Sequence, residues 1–229
     1  TSLFERLLRG KTVHGTDAAP VPSTMLDVQF RMHPALASFP NQEFYGGALY
    51  DAPSTHTLRP YETIFGARDA QDHPLPVTLV THTSVAPQSD AGVSPYNQPQ
   101  ADLVLEVACD LLERNPTLCG ADIGIVTPYE AQVRLLQKML AAGAPLAAGT
   151  EPAAWTLPLL SEDAVDTLAR MDVHRARQLA AIEVHTVDGF EGREKPVMIF
   201  STVKASGGSL EGSAALLHAC RRTSQDAVA

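Results

Sequence analysis

Val187-Asp188-Gly189-Phe190-Glu191-Gly192-Arg193-Glu194-Lys195 is the stretch whose reading decides the fold. A run that alternates apolar and polar residues, Ile182 to Val187, leads into it. A run apolar on both faces, Val197 to Val203, leaves it. Alternation marks a half-buried strand and a short continuous apolar run a fully buried one, so the segment reads as strand, loop, strand. The loop carries glycines, carboxylates and bases. Glycine permits close backbone approach, and the charges suit a phosphate or a partner. A plain bend between two sheet strands accounts for the same residues, so the loop has to be weighed against the rest of the chain.

Outward from this loop, the composition is that of a globular protein. The chain has 229 residues, 45% of them apolar, enough for one large or two small domains with a sizeable core. No apolar run approaches a membrane span, no signal peptide stands at the start, and Thr1 reads as the interior of a longer protein. Cys109, Cys119 and Cys220 are widely spaced and odd in number, which argues against a disulfide framework and for an intracellular setting, cytoplasmic or nuclear. Seventeen basic against 26 acidic residues give a net charge of −9. Phosphate neutralisation needs clustered Lys and Arg, so any nucleic-acid role has to use a local patch or a neighbouring domain.

Periodicity orders the elements. Ser2-Leu3-Phe4-Glu5 matches a capping box, with Leu3, Phe4, Leu7 and Leu8 as an apolar stripe, and predicts a short helix ending near Gly10. Leu26, Val28 and Phe30 alternate with Asp27 and Gln29 as a strand. His33-Pro34 opens a helix that Gly46-Gly47 stops. Residues 77–80 form a second strand. Asn97-x-x-Gln100 begins a long helix. Ile123 to Val126 is a buried strand, followed at once by Thr127-Pro128-Tyr129-Glu130 as a helix start. Residues 141–154 form a low-complexity joint of Ala, Gly and Pro, residues 161–181 recover helical spacing, and the whole stretch 141–181 reads as a flexible insertion. The last 25 residues or so are rich in Ser, Gly and Ala.

Strands alternating with helices predict an α/β domain with a mainly parallel sheet, whose ligands gather at the carboxyl ends of the strands. Three segments fall at such ends: Phe30 to His33, Thr127 to Tyr129, and the loop 188–195. Arg31 reads either as a guanidinium aimed at a phosphate or as a surface residue paired with Asp27 or Asp51. Thr127-Pro128-Tyr129 reads as an anion site at a helix start, with Tyr129 available to a base, or as a well-capped helix alone. Gly189, Gly192, Arg193 and Glu194 suit a nucleotide, with Glu194 accepting from a ribose hydroxyl, or a simple bend. The histidines and cysteines show no metal-ligand spacing. No nucleophile elbow and no Gly-x-x-x-x-Gly-Lys-Ser/Thr phosphate loop is present.

Taken together, these segments resemble one family. Leu26-Asp27-Val28-Gln29-Phe30-Arg31-Met32-His33-Pro34, with Phe44-Tyr45-Gly46-Gly47-Ala48-Leu49 behind it, is similar to the Gln-Tyr-Arg-Met-His-Pro region of superfamily 1 helicases of the up-frameshift type. That group includes the nonsense-mediated decay helicase and senataxin-like enzymes. Ile123 to Gln132 resembles the family's next segment, and Val187 to Lys195 its Val-Asp-x-Phe-Gln-Gly-Arg-Glu-Lys motif. The order and spacing agree over residues 2–205, apart from a longer stretch at 141–181.

The resemblance implies a RecA-like three-layer α/β fold, with a mainly parallel sheet flanked by helices, spanning residues 1–229 as a single domain. It implies the second, C-terminal RecA-like domain of an ATP-dependent helicase. The partners would be single-stranded RNA or DNA and the first RecA-like domain of the same polypeptide, with no membrane. The cofactor would be ATP with Mg2+, the first domain supplying the phosphate loop and the magnesium ligands, so the isolated chain would be inactive. Arg31 matches the arginine finger. Gln29, Phe30, Gly192, Arg193 and Glu194 match nucleotide-binding positions. Thr127, Pro128, Tyr129, Thr186 and Asp188 match the segments lining the single-strand track. No residue is assigned to a metal. Three positions depart from the pattern: Glu191 replaces Gln, Pro196 replaces Asp, and the closing arginine motif is approximated at most by Arg221 or Arg222 within the divergent tail 206–229. These departures keep a catalytically inactive, helicase-derived scaffold or interaction module open as the alternative.

Overall fold

The computed structural model describes residues 2–11, 19–82, 88–90, 94–152, 160–204 and 213–221. The chain divides into two compact units, Thr1–His56 and Thr57–Ala229.

In the first unit, helix α1 (Leu3–Leu8) is capped by Ser2, whose hydroxyl accepts from the Glu5 amide at 3.1 Å. Strand β1 (Val28–Gln29) pairs in parallel with β2 (Tyr50–Asp51). The strand expected over Leu26 to Phe30 is therefore shorter, and it pairs with its own unit. Its end has a local cause: the Gln29 side-chain oxygen accepts from the backbone amides of Arg31 and Met32, which turns the chain directly after β1. Helix α2 (Pro34–Tyr45) follows as expected. His33 Nδ1 caps it, and Gly46 at φ 60° closes it in the left-handed region that glycine adopts at low cost.

The second unit is built on a six-stranded sheet. Strands β7 (Ile123–Thr127), β8 (Glu183–Thr186) and β9 (Val197–Ser201) are parallel, with β7 in the middle. Strand β10 (Ser213–Arg221) runs antiparallel to β9, and its other edge pairs antiparallel with β3 (Arg59–Pro60) and β4 (Val77–His82). Five strands thus share one direction and β10 opposes them. Residues 213–221, which composition places in an irregular tail, have the backbone of a sheet strand. Arg222 lies outside the described residues. A small hairpin, β5 (Gln88–Asp90) and β6 (Ser94–Tyr96), forms a separate two-stranded sheet.

All five residues of β7 are buried, as expected of a central parallel strand with a continuous apolar run. Helix α3 (Gln98–Arg114) packs on β9 and β10, and α4 (Glu130–Ala147) on β7 and β8. Helices α5 (Glu162–Arg170) and α6 (Val173–Leu179) pack on α3 and α4. Leu105, Leu111, Ile125, Leu136, Leu168 and Leu179 sit fully buried in this core. The architecture is α/β and RecA-like, with parallel strands flanked by helices.

Two expectations change here. The joint at 141–154 begins as helix, since α4 continues to Ala147. The segment 161–181 is integrated into the core rather than appended to it, because Leu168, Met171, Ala176 and Leu179 are buried. Arg175 fixes α6 further by donating to the carbonyls of Leu112, Asn115 and Leu118 at the end of α3, with the last two at 3.0 Å. Leu112 is in the last turn of α3, where carbonyls lack a helical partner and a cation is favoured, and Asn115 and Leu118 follow in the turn after it.

Candidate functional site

Strands β8, β7 and β9 lie side by side and point the same way, so their carboxyl ends form a row about 5 Å apart. Thr186 and Asp188 leave the end of β8, Thr127 to Tyr129 the end of β7, and Thr202 to Lys204 the end of β9. This brings together all the residues expected to line a single-strand track. Thr127 is completely buried, and its hydroxyl has no hydrogen-bond partner among the described residues. Pro128 is exposed and Tyr129 half-buried. The start of α4 is partly satisfied internally, since the Ala131 amide donates to Ser94 Oγ at 3.1 Å. The Thr186 hydroxyl accepts from the Gly189 amide at 3.1 Å, which shapes the turn that exposes Asp188.

Beneath this row lies a buried polar network. Gln132 donates to Ser201 Oγ at 3.2 Å, and its side-chain oxygen accepts from the Asn97 amide at 2.9 Å. Ser201 in turn donates to Gln100 Oε1 at 2.5 Å. Gln100 Oε1 also accepts from the Val203 amide at 2.6 Å, and Asn97 Nδ2 donates to the Val203 carbonyl at 3.1 Å. Val203 has φ 65°, and the Lys204 amide donates back to the Thr202 carbonyl at 2.7 Å. This is a three-residue γ-turn with a β-branched residue at its centre, a conformation that costs roughly 1–3 kcal/mol. The buried side-chain amides hold it. Its outcome is to turn Lys204 back so that Nζ lies 5.2 Å from the centre of the Tyr129 ring.

The loop 187–196 is not a bend between adjacent strands. Because β8 and β9 are parallel and flank β7, the chain has to cross β7 and return to the opposite end of the sheet. Phe190 lies over β7 during this crossing. A Cβ on Gly124 would come within 2.9 Å of the Phe190 ring and 3.0 Å of the Met198 sulfur, so the crossing needs glycine there. The second half of the loop reaches the amino-terminal side, where Arg193 donates to Glu183 at 2.8 Å. Lys195 donates to the same carboxylate at 2.6 Å and to the Ala121 carbonyl at 2.7 Å. Hydrogen bonds from Lys195 and then Arg193 hold the Glu183 carboxyl below its ordinary pKa. Glu183 lies three residues before Thr186 in β8, or about 10 Å along the strand. Arg193 is thus parted from Thr127, Thr186 and Asp188.

At Gly192, φ is 77° and the position a Cβ would take is open, so the backbone is accessible to a ligand. Glu194 is exposed. In the first unit, Phe30 and Arg31 are exposed, while the Gln29 amide is committed to the Met32 carbonyl at 2.7 Å and to Asp51 at 2.6 Å. Phe30 and Arg31 in the first unit, and Gly192 and Glu194 in the second, are thus exposed. The side chains of Gln29 and Arg193 hold Asp51 and Glu183, respectively. Among the described residues no group of three or more His, Cys, Asp or Glu is arranged to hold a metal ion. No helix among them is long and apolar enough to cross a membrane.

Sequence reasoning did not find Glu183 as the partner of Arg193 and Lys195, nor Lys204 at the strand ends. The available signal was Gln100, which reads as part of a helix cap and is in fact a buried side chain that reaches the end of β9.

The family model described as AAA domain matches residues 1–224. The chain is 30% identical over 212 residues to the probable helicase MAGATAMA 3 of Arabidopsis thaliana, covering 90% of this chain and 20% of that protein. It is 27% identical over 209 residues to an uncharacterized ATP-dependent helicase of Methanocaldococcus jannaschii, covering 89% and 24%. It is 26% identical over 210 residues to the Regulator of nonsense transcripts 1 homolog of Neurospora crassa, covering 90% and 15%. The chain thus spans a quarter or less of the length of each of these relatives.

Proposed function

The chain belongs to the AAA domain family as a superfamily 1 helicase domain of the up-frameshift-like type, and on that premise we propose that it is the second RecA-like motor domain of an ATP-dependent helicase acting on single-stranded RNA or DNA. The observation that carries this reading is the row of strand ends, where Thr127, Pro128, Tyr129, Thr186 and Asp188 converge from two adjacent parallel strands. The exposed Pro128, the half-buried Tyr129 ring, the half-buried Thr186 hydroxyl and the helix start suit a sugar-phosphate backbone with a base against Tyr129, while the buried Thr127 lies beneath them.

In this reading residues 1–229 serve as one RecA-like domain of a larger intracellular protein. The first RecA-like domain of the same polypeptide supplies the phosphate loop and the magnesium ligands, and the isolated chain hydrolyses nothing. Arg31 acts as the arginine finger, placing its planar guanidinium against charge developing on the transferring phosphoryl group. Phe30 packs on the base, and Gln29 braces the turn that presents Arg31. The open backbone at Gly192 approaches the phosphates and Glu194 accepts from the ribose. Arg193 serves a phosphate only by exchanging Glu183 for it.

The test is Arg31→Ala in the complete protein. Nucleic-acid-stimulated hydrolysis should fall by about 10³-fold or more, while single-strand affinity stays at the wild-type value. Turnover equal to wild type removes Arg31 from the finger role. A second reading, an inactive helicase-derived scaffold, is favoured by Glu191, which adds a negative charge one residue from Gly192. A complete wild-type protein that binds single strands and hydrolyses no ATP would select it.

A further inference from the structure

We infer that Lys204 is a phosphate-binding residue of the single-strand track, aimed by the Val203 turn and by the Tyr129 ring. This rests on the reading of the strand ends as that track. The chain carries a net charge of −9, and a backbone of phosphates is held by local cations. The track residues recognised from sequence supply the Thr186 hydroxyl, a ring and the Asp188 carboxylate, but no cation. Lys204 supplies one at the end of β9, the strand next to β7, and its side chain is exposed. Among the described residues no carboxylate pairs with its ammonium.

Its position is built rather than incidental. Continued in extended form, the chain would carry Lys204 onward past the row of strand ends. The buried Val203, at φ 65°, turns it back, with Gln100 and Asn97 holding that residue's amide and carbonyl. Gln132 and Ser201 join the same network, so the start of α4 and the end of β9 are fixed together. The Tyr129 ring then attracts the ammonium at 5.2 Å from its centre. A lysine whose rotamers are already restricted loses less entropy when it takes a ligand. The charge at the face of Tyr129 is thus available to a phosphate flanking a base held at this tyrosine. The recognised chemistry is the phosphodiester, common to RNA and DNA.

The experiment measures affinity of the complete protein for labelled single-stranded oligouridylate and oligothymidylate over a series of salt concentrations. Lys204→Ala should weaken both strands about tenfold and lower the slope of log affinity against log salt by about 0.7, the share of one phosphate on a single strand. Lys204→Arg, which keeps the charge, should restore both. Lower affinity with an unchanged slope would make the role structural and overturn the inference. A loss on only one of the two strands would overturn it in favour of a sugar-specific contact. Wild-type behaviour of Lys204→Ala beside a loss in Tyr129→Ala would remove Lys204 and leave the track standing. Binding of both strands unaltered in both variants would remove the track as well.

Discussion

Arg31 and Arg193 are the two arginines that the sequence motifs direct at a nucleotide, and the structure treats them differently. Arg31 follows a turn that Gln29 builds from within, so its exposure is a product of local sequence. Arg193, in the loop, is tied by Glu183, ten residues earlier at the start of β8, and no local pattern announces that pair. The carboxyl of Glu183 is held below its ordinary pKa, first by Lys195 and then by Arg193. A depressed value in the folded state means that the clamp stabilises above the unfolded-state pKa and is lost as pH falls through the folded one. Amide exchange in residues 188–195 should therefore stay slow from neutral pH through the ordinary glutamate range, and accelerate only as pH falls below that range, once intrinsic exchange is corrected for. In Glu183→Gln the loop should exchange quickly already at neutral pH, with that acid step gone. Exchange identical to wild type in Glu183→Gln would show that Phe190 and β9 hold the loop without the clamp.

Among the elements, those set by periodicity were legible and those set by distant partners were not. β7 announces itself as a short, wholly apolar run, and α3 and α4 by their caps and stripes. β10 escapes because small residues read as a tail until β4 and β9 are seen to pair with it on both edges. The segment 161–181 escapes for a related reason: its leucines show helical spacing, but nothing local tells that they enter a core some 60 residues away in sequence, where Arg175 reaches Leu118. Gly120 tests this integration. It precedes β7, and a Cβ there would lie 1.8 Å from the backbone oxygen of Gln178 in α6. A backbone atom cannot rotate aside, so Gly120→Ala has to move α6 from its seat against α3. We expect a loss of about 1–3 kcal/mol or more and a midpoint of thermal unfolding lower by several degrees. An unchanged midpoint would mean that α6 is a loose appendage, as the composition of the preceding joint suggests.

At the scale of the molecule, the fold class was readable because strands and helices alternate, and the strand-end position of the proposed track residues because they follow strands. The crossing of residues 187–196 was not, because a strand-loop-strand pattern looks the same whether the second strand pairs beside the first or on the far side of a third. The crossing matters for the proposed role. It sends the Thr186–Asp188 end of the motif to the row of strand ends and the Arg193–Lys195 end to the opposite side of the sheet. One short segment thus serves two faces. The 229 residues contain no Gly-x-x-x-x-Gly-Lys-Ser/Thr, the backbone cradle that holds the phosphates and, through its hydroxyl, the metal. Arginine fingers accelerate transfer of a phosphoryl group that another surface already holds, and they do not replace that surface. The isolated chain should accordingly release no phosphate from ATP above background, with or without a saturating single strand, when followed by a phosphate-release assay. Robust turnover by the isolated chain would place a complete hydrolytic site within these residues and overturn its assignment as the second motor domain.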